Sequence, residues 1–282
     1  MRKGLSKAYF CKMSEEKEKK RYRGRLAPTP SGYLHEGHAR TFRVAWERAV
    51  SHSGVLVYRN DDLDPLRCRE EFVQAGMDDL RACGLTWTEG PDCGGSYGPY
   101  DQSKRGPSYV SILRDLVELD LVYPCLKSRK EIRAKGLRSK TGDEFLFPEE
   151  FRPDNKHPIP SDFPGEVNWR FRVEWNKTIS FFDQAKGMQQ FVTGQDFSDF
   201  LVWRKGGVAS YELATVADDY AMDITEIVRG EDLLLSSARQ CLLFDGLGWP
   251  RPDFYHCEVL LDDEGRKLSK SERNLPRLFS SP

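Results

Sequence analysis

Ala27-Pro28-Thr29-Pro30-Ser31-Gly32-Tyr33-Leu34-His35-Glu36-Gly37-His38 is the stretch on which the fold turns. Upstream of it, residues 22–27 read as a short strand running into a Pro/Ser/Gly turn. Downstream, Phe42, Ala45, Trp46 and Ala49 recur at the spacing of one buried helix face across 39–50. Val55-Leu56-Val57-Tyr58 then makes a short apolar strand. Together these pieces predict a βαβ unit. Its first helix opens at His35–His38, where backbone N–H groups and the positive end of the helix dipole favour phosphate. Gly37 lets a nucleotide approach where a side chain would block it. Two imidazoles three residues apart face one side of a helical turn and can donate to triphosphate oxygens. Taken alone, H-x-G-H reads equally as a pair of surface helix caps. A zinc site is a weaker rival, because the metalloprotease spacing H-E-x-x-H is absent.

Working outward, a second signature, Lys267-Leu268-Ser269-Lys270-Ser271, stands eleven residues from the C-terminus. Lys267 and Lys270 are flexible point charges able to reach pyrophosphate oxygens; by itself the segment is also a plausible solvated lysine loop. Between the two signatures, helical patterns cover 70–83 and 109–121, with a Gly/Pro/Asp-rich loop at 89–99. Basic residues then cluster at Lys127, Arg129, Lys130, Arg133, Lys135, Arg138 and Lys140, followed by Pro148, Pro153, Pro158, Pro160 and Pro164. That proline density opposes long helices and central strands. Alternation at 169–175 predicts a strand, 211–222 a helix, 224–228 a buried strand, and 237–247 a helix ended by Gly248 and Pro250. The expected organisation is a leader at 1–22, a first core half at 23–124, an inserted region at 125–185, and a second core half at 186–282.

At 282 residues, with 39% hydrophobic and 31% charged residues, the chain suits a globular protein with a substantial core. No apolar run approaches the roughly 20 residues that cross a bilayer, and the start lacks a secretory h-region. A cytoplasmic address and no membrane partner are therefore expected. A net charge of -1 gives no global pull toward nucleic acid, so any RNA contact must be local. The seven cysteines (Cys11, Cys68, Cys83, Cys93, Cys125, Cys241 and Cys257) include no C-x-x-C pair, which argues against a disulfide framework.

The two signatures, in this order, resemble the HIGH and KMSKS motifs of class I aminoacyl-tRNA synthetases. Further segments extend the likeness: Arg25 to Gly32, Glu89-Gly90-Pro91-Asp92, Tyr97 to Ser103, Val216-Ala217-Asp218-Asp219 and Val228 to Leu233 are similar to glutamyl-tRNA synthetase catalytic domains. Asp62-Leu63-Asp64-Pro65-Leu66-Arg67 and the early stop look most like the short glutamyl-queuosine tRNA(Asp) synthetase family. The resemblance runs from about Arg23 to the end. It implies an α/β, Rossmann-type catalytic domain split by a connective, stem-contact insertion and lacking an anticodon-binding domain. The implied activity is activation of L-glutamate with MgATP, without tRNA, and transfer to the queuosine base at the wobble position of tRNA(Asp). A truncated or discriminating glutamyl-tRNA synthetase, or a ligase with a non-tRNA acceptor, stands as the alternative. We expect a monomer.

Carried over residue by residue, the resemblance puts ATP against Pro30, His35, Gly37, His38, Lys267, Leu268, Ser269 and Lys270. His35, His38, Lys267 and Lys270 become the catalytic set, stabilising charge that moves toward pyrophosphate. Arg25 and Arg229 match positions that bind glutamate carboxylates, a task suited to a guanidinium fork. Ala27 and Thr29 match further contacts to the amino acid, and Tyr211 and Thr215 match positions lining its pocket. Two departures stand out. Arg59-Asn60-Asp61-Asp62 replaces the usual Arg-Ile-Glu-Asp, so Asp61 takes the place of the glutamate that holds the substrate ammonium, one methylene shorter. Either the pocket is tightened, a water intervenes or the amino-acid preference differs; a loop cap and an acidic metal cluster with Asp62 and Asp64 are the rival readings. Second, many relatives carry a C-x-C pair and a later cysteine, but here Lys127 follows Cys125 and no cysteine recurs until Cys241. One thiolate cannot hold a structural zinc, so none is expected. The basic stretch 127–140 then reads either as a tRNA-phosphate contact or as a solvated face.

Overall fold

A computed structural model describes residues 21–142, 144–153 and 162–259. Strand β1 (Arg23–Leu26), helix α1 (Glu36–Ser51) and strand β2 (Val55–Tyr58) form the expected βαβ unit, with β1 and β2 parallel and Arg23 opposite Val55. Parallel pairing demands a crossover, which α1 supplies; its Ala45 and Ala49 are buried in a core with Leu26, Leu56 and Tyr58. Helix α2 (Glu70–Ala82) adds Met77 and Leu80 to that core.

Helix α3 (Gly106–Glu118) leads into strand β3 (Val122–Cys125) and the short helix α4 (Arg129–Lys135), which is opened by a Ser128/Glu131 capping box. Strands β4 (Asn168–Phe171), β5 (Thr178–Asp183), β6 (Gly187–Val192), β7 (Phe200–Arg204) and β8 (Val208–Ala209) follow. The chain then returns through α5 (Tyr211–Ala221), β9 (Glu226–Gly230), α6 (Leu234–Gly246) and β10 (Asp253–Cys257).

One sheet has the order β6-β5-β10-β9, with β10 parallel to both β5 and β9. The other four-stranded sheet, β3-β4-β7-β8, is antiparallel throughout. Its connection to the insertion is clasped by Asp199, which accepts from Tyr123 Oη (2.5 Å), Arg152 Nε (2.7 Å) and Val173 N (2.9 Å). Beside this clasp Cys125 is buried with Tyr123, Ile132 and Phe147, and the Lys127 ammonium stands 4.7 Å over the Phe151 ring. The chain passes between the two sheets more often than boundaries at 125 and 185 allow. β5 pairs with β10 although it falls in the stretch read as insertion, and β7 pairs with β4 although it falls in the stretch read as core.

What positions the site is the seam between β1 and β9. Strand β1 runs outward to β2, β9 runs the other way to β10, and each pair is joined by a helix. At the start of the seam Thr225 N donates to Arg23 O at 2.9 Å. Further along, it is the Arg25 side chain that reaches across, donating from Nη1 to Val228 O at 2.9 Å. Sheets of this kind bind ligands at the carboxyl ends of the strands where the winding reverses.

Candidate active site

A cavity of about 380 Å³ opens at that reversal. Its floor is made by the ends of β1 and β9 (Arg25, Ala27, Val228, Arg229, Gly230), and one wall by the first turn of α1 (His35, Gly37, His38, Thr41). His35 is the N-cap of α1, and its carbonyl accepts from His38 N (2.9 Å) and Ala39 N (3.1 Å). Its own backbone N donates to His38 Nδ1 at 3.3 Å, and the two imidazoles stack with centroids 3.6 Å apart. Cap and cavity wall are therefore the same residues. A Cβ on Gly37 would lie 3.1 Å from the His35 ring, so a larger residue here would press on the imidazole.

Arg25 and Arg229 are 5% and 4% exposed, so neither is a surface ion-pairing group. Arg25 Nε lies 3.4 Å from Asp219 Oδ1. Arg229 donates from Nη2 to Ser237 Oγ (2.7 Å) and Gln240 Oε1 (2.8 Å) and from Nε to His256 Nε2 (3.3 Å), while Nη1 has no partner among the described residues. Two cationic forks thus face one small cavity, the arrangement that suits a ligand bearing carboxylates.

Opposite them stands Asp61, 6% exposed and gripped by the fully buried Arg59, whose Nε donates to Asp61 Oδ1 at 2.7 Å. Arg59 also donates to Asp219 Oδ1 at 2.6 Å, and Asp218 is held by Arg105 Nε (2.5 Å), Gln102 Nε2 (2.8 Å) and Tyr109 Oη (2.9 Å). Burial pushes the Asp61 carboxyl up to about 6 against the pull of Arg59, with Asp218 and Asp219 adding to the rise. A carboxylate so disposed gains most from an arriving ammonium, which supplies the counter-charge that burial makes scarce. This geometry disfavours the cap and metal-cluster readings of Asp61: its Oδ1 is held by Arg59, and Asp62 turns away to accept from Ser103 N (2.8 Å) and Ser103 Oγ (2.6 Å).

A second cavity of about 540 Å³ lies against the first, between the core and the antiparallel sheet. It is lined by Asp64, Arg67, Arg170, Arg204, Glu212 and Arg239 among others, and Thr29, Asp61 and Tyr211 line both cavities. Tyr211 owes its place to α5, whose N-cap Ser210 accepts from Leu213 N at 3.2 Å and starts the helix at the cavity wall.

Of the residues singled out from sequence, Arg25, Ala27, Thr29, His35, Gly37, His38, Asp61, Tyr211 and Arg229 line the first cavity. Thr215, one turn along α5, is 1% exposed and lines neither cavity, and buried Pro30 shapes the turn from behind. Lys267, Leu268, Ser269 and Lys270 lie outside the described residues. Sequence reading missed Arg59 and the Asp218/Asp219 pair as the scaffold of Asp61, although two adjacent aspartates directly after the largely apolar run 213–217 were the available signal for the pair. It also missed Asp183, Ser237, Gln240 and His256 behind Arg229, none of which stands near it in the chain except Ser237 and Gln240. Among the described residues no group of three His, Cys, Asp or Glu side chains could hold a metal ion.

Residues 21–279 match the sequence profile of tRNA synthetases class I (E and Q), catalytic domain, and the chain belongs to that family. Within it, the chain is 41% identical over 261 residues to the Glutamyl-Q tRNA(Asp) synthetase of Symbiobacterium thermophilum, covering 88% of this chain and 77% of that protein. It is 38% identical over 264 residues to the Glutamyl-Q tRNA(Asp) synthetase of Nitratidesulfovibrio vulgaris, covering 90% and 79%. The crystal structure of the glutamate-tRNA synthetase from Elizabethkingia anophelis superposes with a TM-score of 0.77 at 28% identity. That match takes in 89% of this chain and 53% of the longer one, so the chain spans about half of that synthetase. The α/β class I catalytic fold expected from the sequence is the fold observed.

Proposed function

We propose that this protein activates L-glutamate with ATP and transfers the glutamyl group to the queuosine base at the wobble position of tRNA(Asp). The observation that carries the reading is the junction of two cavities on Thr29, Asp61 and Tyr211 in a chain whose long, well-matched relatives bear the glutamyl-Q name. In the first cavity Arg25 and Arg229 would take carboxylates and Asp61 the ammonium, fixing the amino acid at three points. The α-carboxylate oxygen attacks the α-phosphorus of ATP and pyrophosphate departs. His35, His38 and the N-terminus of α1 offer donors where that charge develops, so positioning and electrostatics suffice without a covalent enzyme intermediate. Mg2+ would arrive on the phosphates of ATP, where it offsets their charge. A hydroxyl of the acceptor, approaching from the second cavity, then attacks the glutamyl carbonyl, forming the ester and releasing AMP.

The test is acceptor mapping with radiolabelled glutamate, ATP and Mg2+ on queuosine-containing tRNA(Asp), the same tRNA lacking queuosine, and tRNA(Glu). Label confined to the modified tRNA(Asp), and lost after periodate oxidation of the queuosine diol, is the expected result. Label on tRNA(Glu) would make the protein a minimal charging enzyme and overturn the acceptor assignment.

A further inference from the structure

Arg229 is a buried cation whose direct hydrogen-bond partners are neutral groups. Its three hydrogen-bond partners among the described residues are an imidazole nitrogen, a hydroxyl and an amide oxygen, and no acidic side chain there pairs with it. The other buried arginines of this region behave differently: Arg59 and Arg105 each donate to an aspartate at 2.5–2.7 Å. The cradle of Arg229 is also built to be rigid. Asp183 Oδ1 accepts from Ala185 N (3.0 Å), Lys186 N (2.9 Å) and His256 N (3.2 Å), and its Oδ2 takes the His256 Nδ1 proton at 2.5 Å. With the proton on Nδ1, His256 Nε2 is left as an acceptor, facing Ser237 Oγ at 2.8 Å and Arg229 Nε at 3.3 Å. Ser237 and Gln240, three apart on α6, complete the cradle, and all four residues are fully buried.

We infer that Ser237, Gln240 and His256, the last anchored by Asp183, are positioning residues that aim Arg229 through neutral acceptors and so leave its charge uncancelled for a substrate carboxylate. The physical reason is that a carboxylate in the cradle would orient the guanidinium equally well but would neutralise it, and a paired buried cation has little left to offer a second anion. The inference rests on the reading of Arg229 as a substrate ligand.

Gln240→Glu separates the two roles, because it changes charge with almost no change of shape and sets a carboxylate beside Arg229 Nη2, now 2.8 Å from an amide oxygen. Glutamate-dependent ATP–pyrophosphate exchange on the full chain reads the consequence. The KM for glutamate should rise at least about tenfold, since like-charge juxtaposition in a desolvated site is strongly unfavourable, with the KM for ATP unchanged. The same variant should melt no lower than the parent without substrate, because the new carboxylate gains a buried partner. Gln240→Met, which removes one neutral hydrogen bond and adds no charge, should raise the KM for glutamate only about threefold. A parental KM in Gln240→Glu, a drop in its melting temperature, or an equal effect of Gln240→Met would each overturn the inference. Arg229→Met distinguishes that failure from failure of the underlying reading: if it binds glutamate normally, Arg229 is no substrate ligand at all.

Discussion

Replacing Asp61 by asparagine should make the protein more stable and less able to use glutamate, and the opposite signs are the point. The Asp61 carboxyl is raised from 3.8 to about 6 by burial, although Arg59 Nε holds one oxygen at 2.7 Å. The folded chain therefore binds this proton more tightly than the unfolded chain, and stability falls as pH climbs from 3.8 to about 6. At pH 7.5 the ionised carboxylate costs the fold on the order of 3 kcal/mol. Asparagine keeps an oxygen for Arg59 Nε but loses the weak 3.4 Å contact from Nη2, which trims the gain to on the order of 2 kcal/mol. That corresponds to a melting temperature higher by roughly 3–4 °C at pH 7.5, crossing to slightly below the parent near pH 4, where the carboxylate penalty is gone and the lost contact remains. Meanwhile the substrate ammonium loses a charge-assisted hydrogen bond, worth about 1.5–3 kcal/mol, so kcat/KM for glutamate should fall about ten- to 150-fold. In the parent, kcat/KM should rise with pH and level off above about 6, and in the variant that limb should vanish. Thermal melts at two pH values and pyrophosphate exchange across pH 5–8 measure both arms. A variant that melts lower at pH 7.5 and uses glutamate normally would show that Asp61 merely neutralises Arg59.

Three other outcomes are expected. If Lys270 acts on departing pyrophosphate as the resemblance implies, Lys270→Ala should lower kcat for adenylate formation at least about 100-fold while leaving the KM for glutamate nearly unchanged; equal losses in both would remove it from that role. Gly37→Ala drives a Cβ to 3.1 Å from the His35 ring, so the KM for ATP should rise roughly three- to tenfold with glutamate binding unaffected, and an unchanged KM for ATP would mean that His35 does not meet the nucleotide. His256 is pushed down to about 4 by burial and the Arg229 charge, whereas the unfolded chain takes that proton near 6.5. Stability should therefore drop by about 3 kcal/mol as pH falls from 6.5 to 4, and urea melts of His256→Gln should lack most of that slope.

The βαβ unit was legible because its signals are local: the spacing of Phe42, Ala45, Trp46 and Ala49 and the run Val55–Tyr58 fall where α1 and β2 stand. The helix read at 109–121 starts earlier, at Gly106, because Pro107 suits a first turn, and it stops at Glu118 so that 122–125 can pair with β4. Alternation at 169–175 promised a longer strand than the one ending at Phe171, whose pairing with β7 carries a register shift between Trp169 and Arg170. Strands β5, β6 and β10 were not anticipated: β10 pairs with β5 across some seventy positions, a contact with no local mark, and the local β5–β6 hairpin spans the boundary read at 185. The same holds at the site. Resemblance supplied Arg25, Asp61 and Arg229, but only tertiary packing brings Asp183 and His256 to the back of Arg229. Thr215 differs for a simple geometric reason: four residues beyond Tyr211, it lies a full helical turn away from the cavity rim.

The shared wall of Thr29, Asp61 and Tyr211 carries an evolutionary consequence. Among the described residues, these three are common to both cavities, and the remaining linings are separate sets of side chains. On the proposed reading, substitutions at Arg67, Arg170 or Arg204 would alter what docks in the larger cavity and leave the lining of the smaller one unchanged. A lineage with this architecture can exchange one acceptor for another by drift along a single face, keeping at every step a working activation reaction.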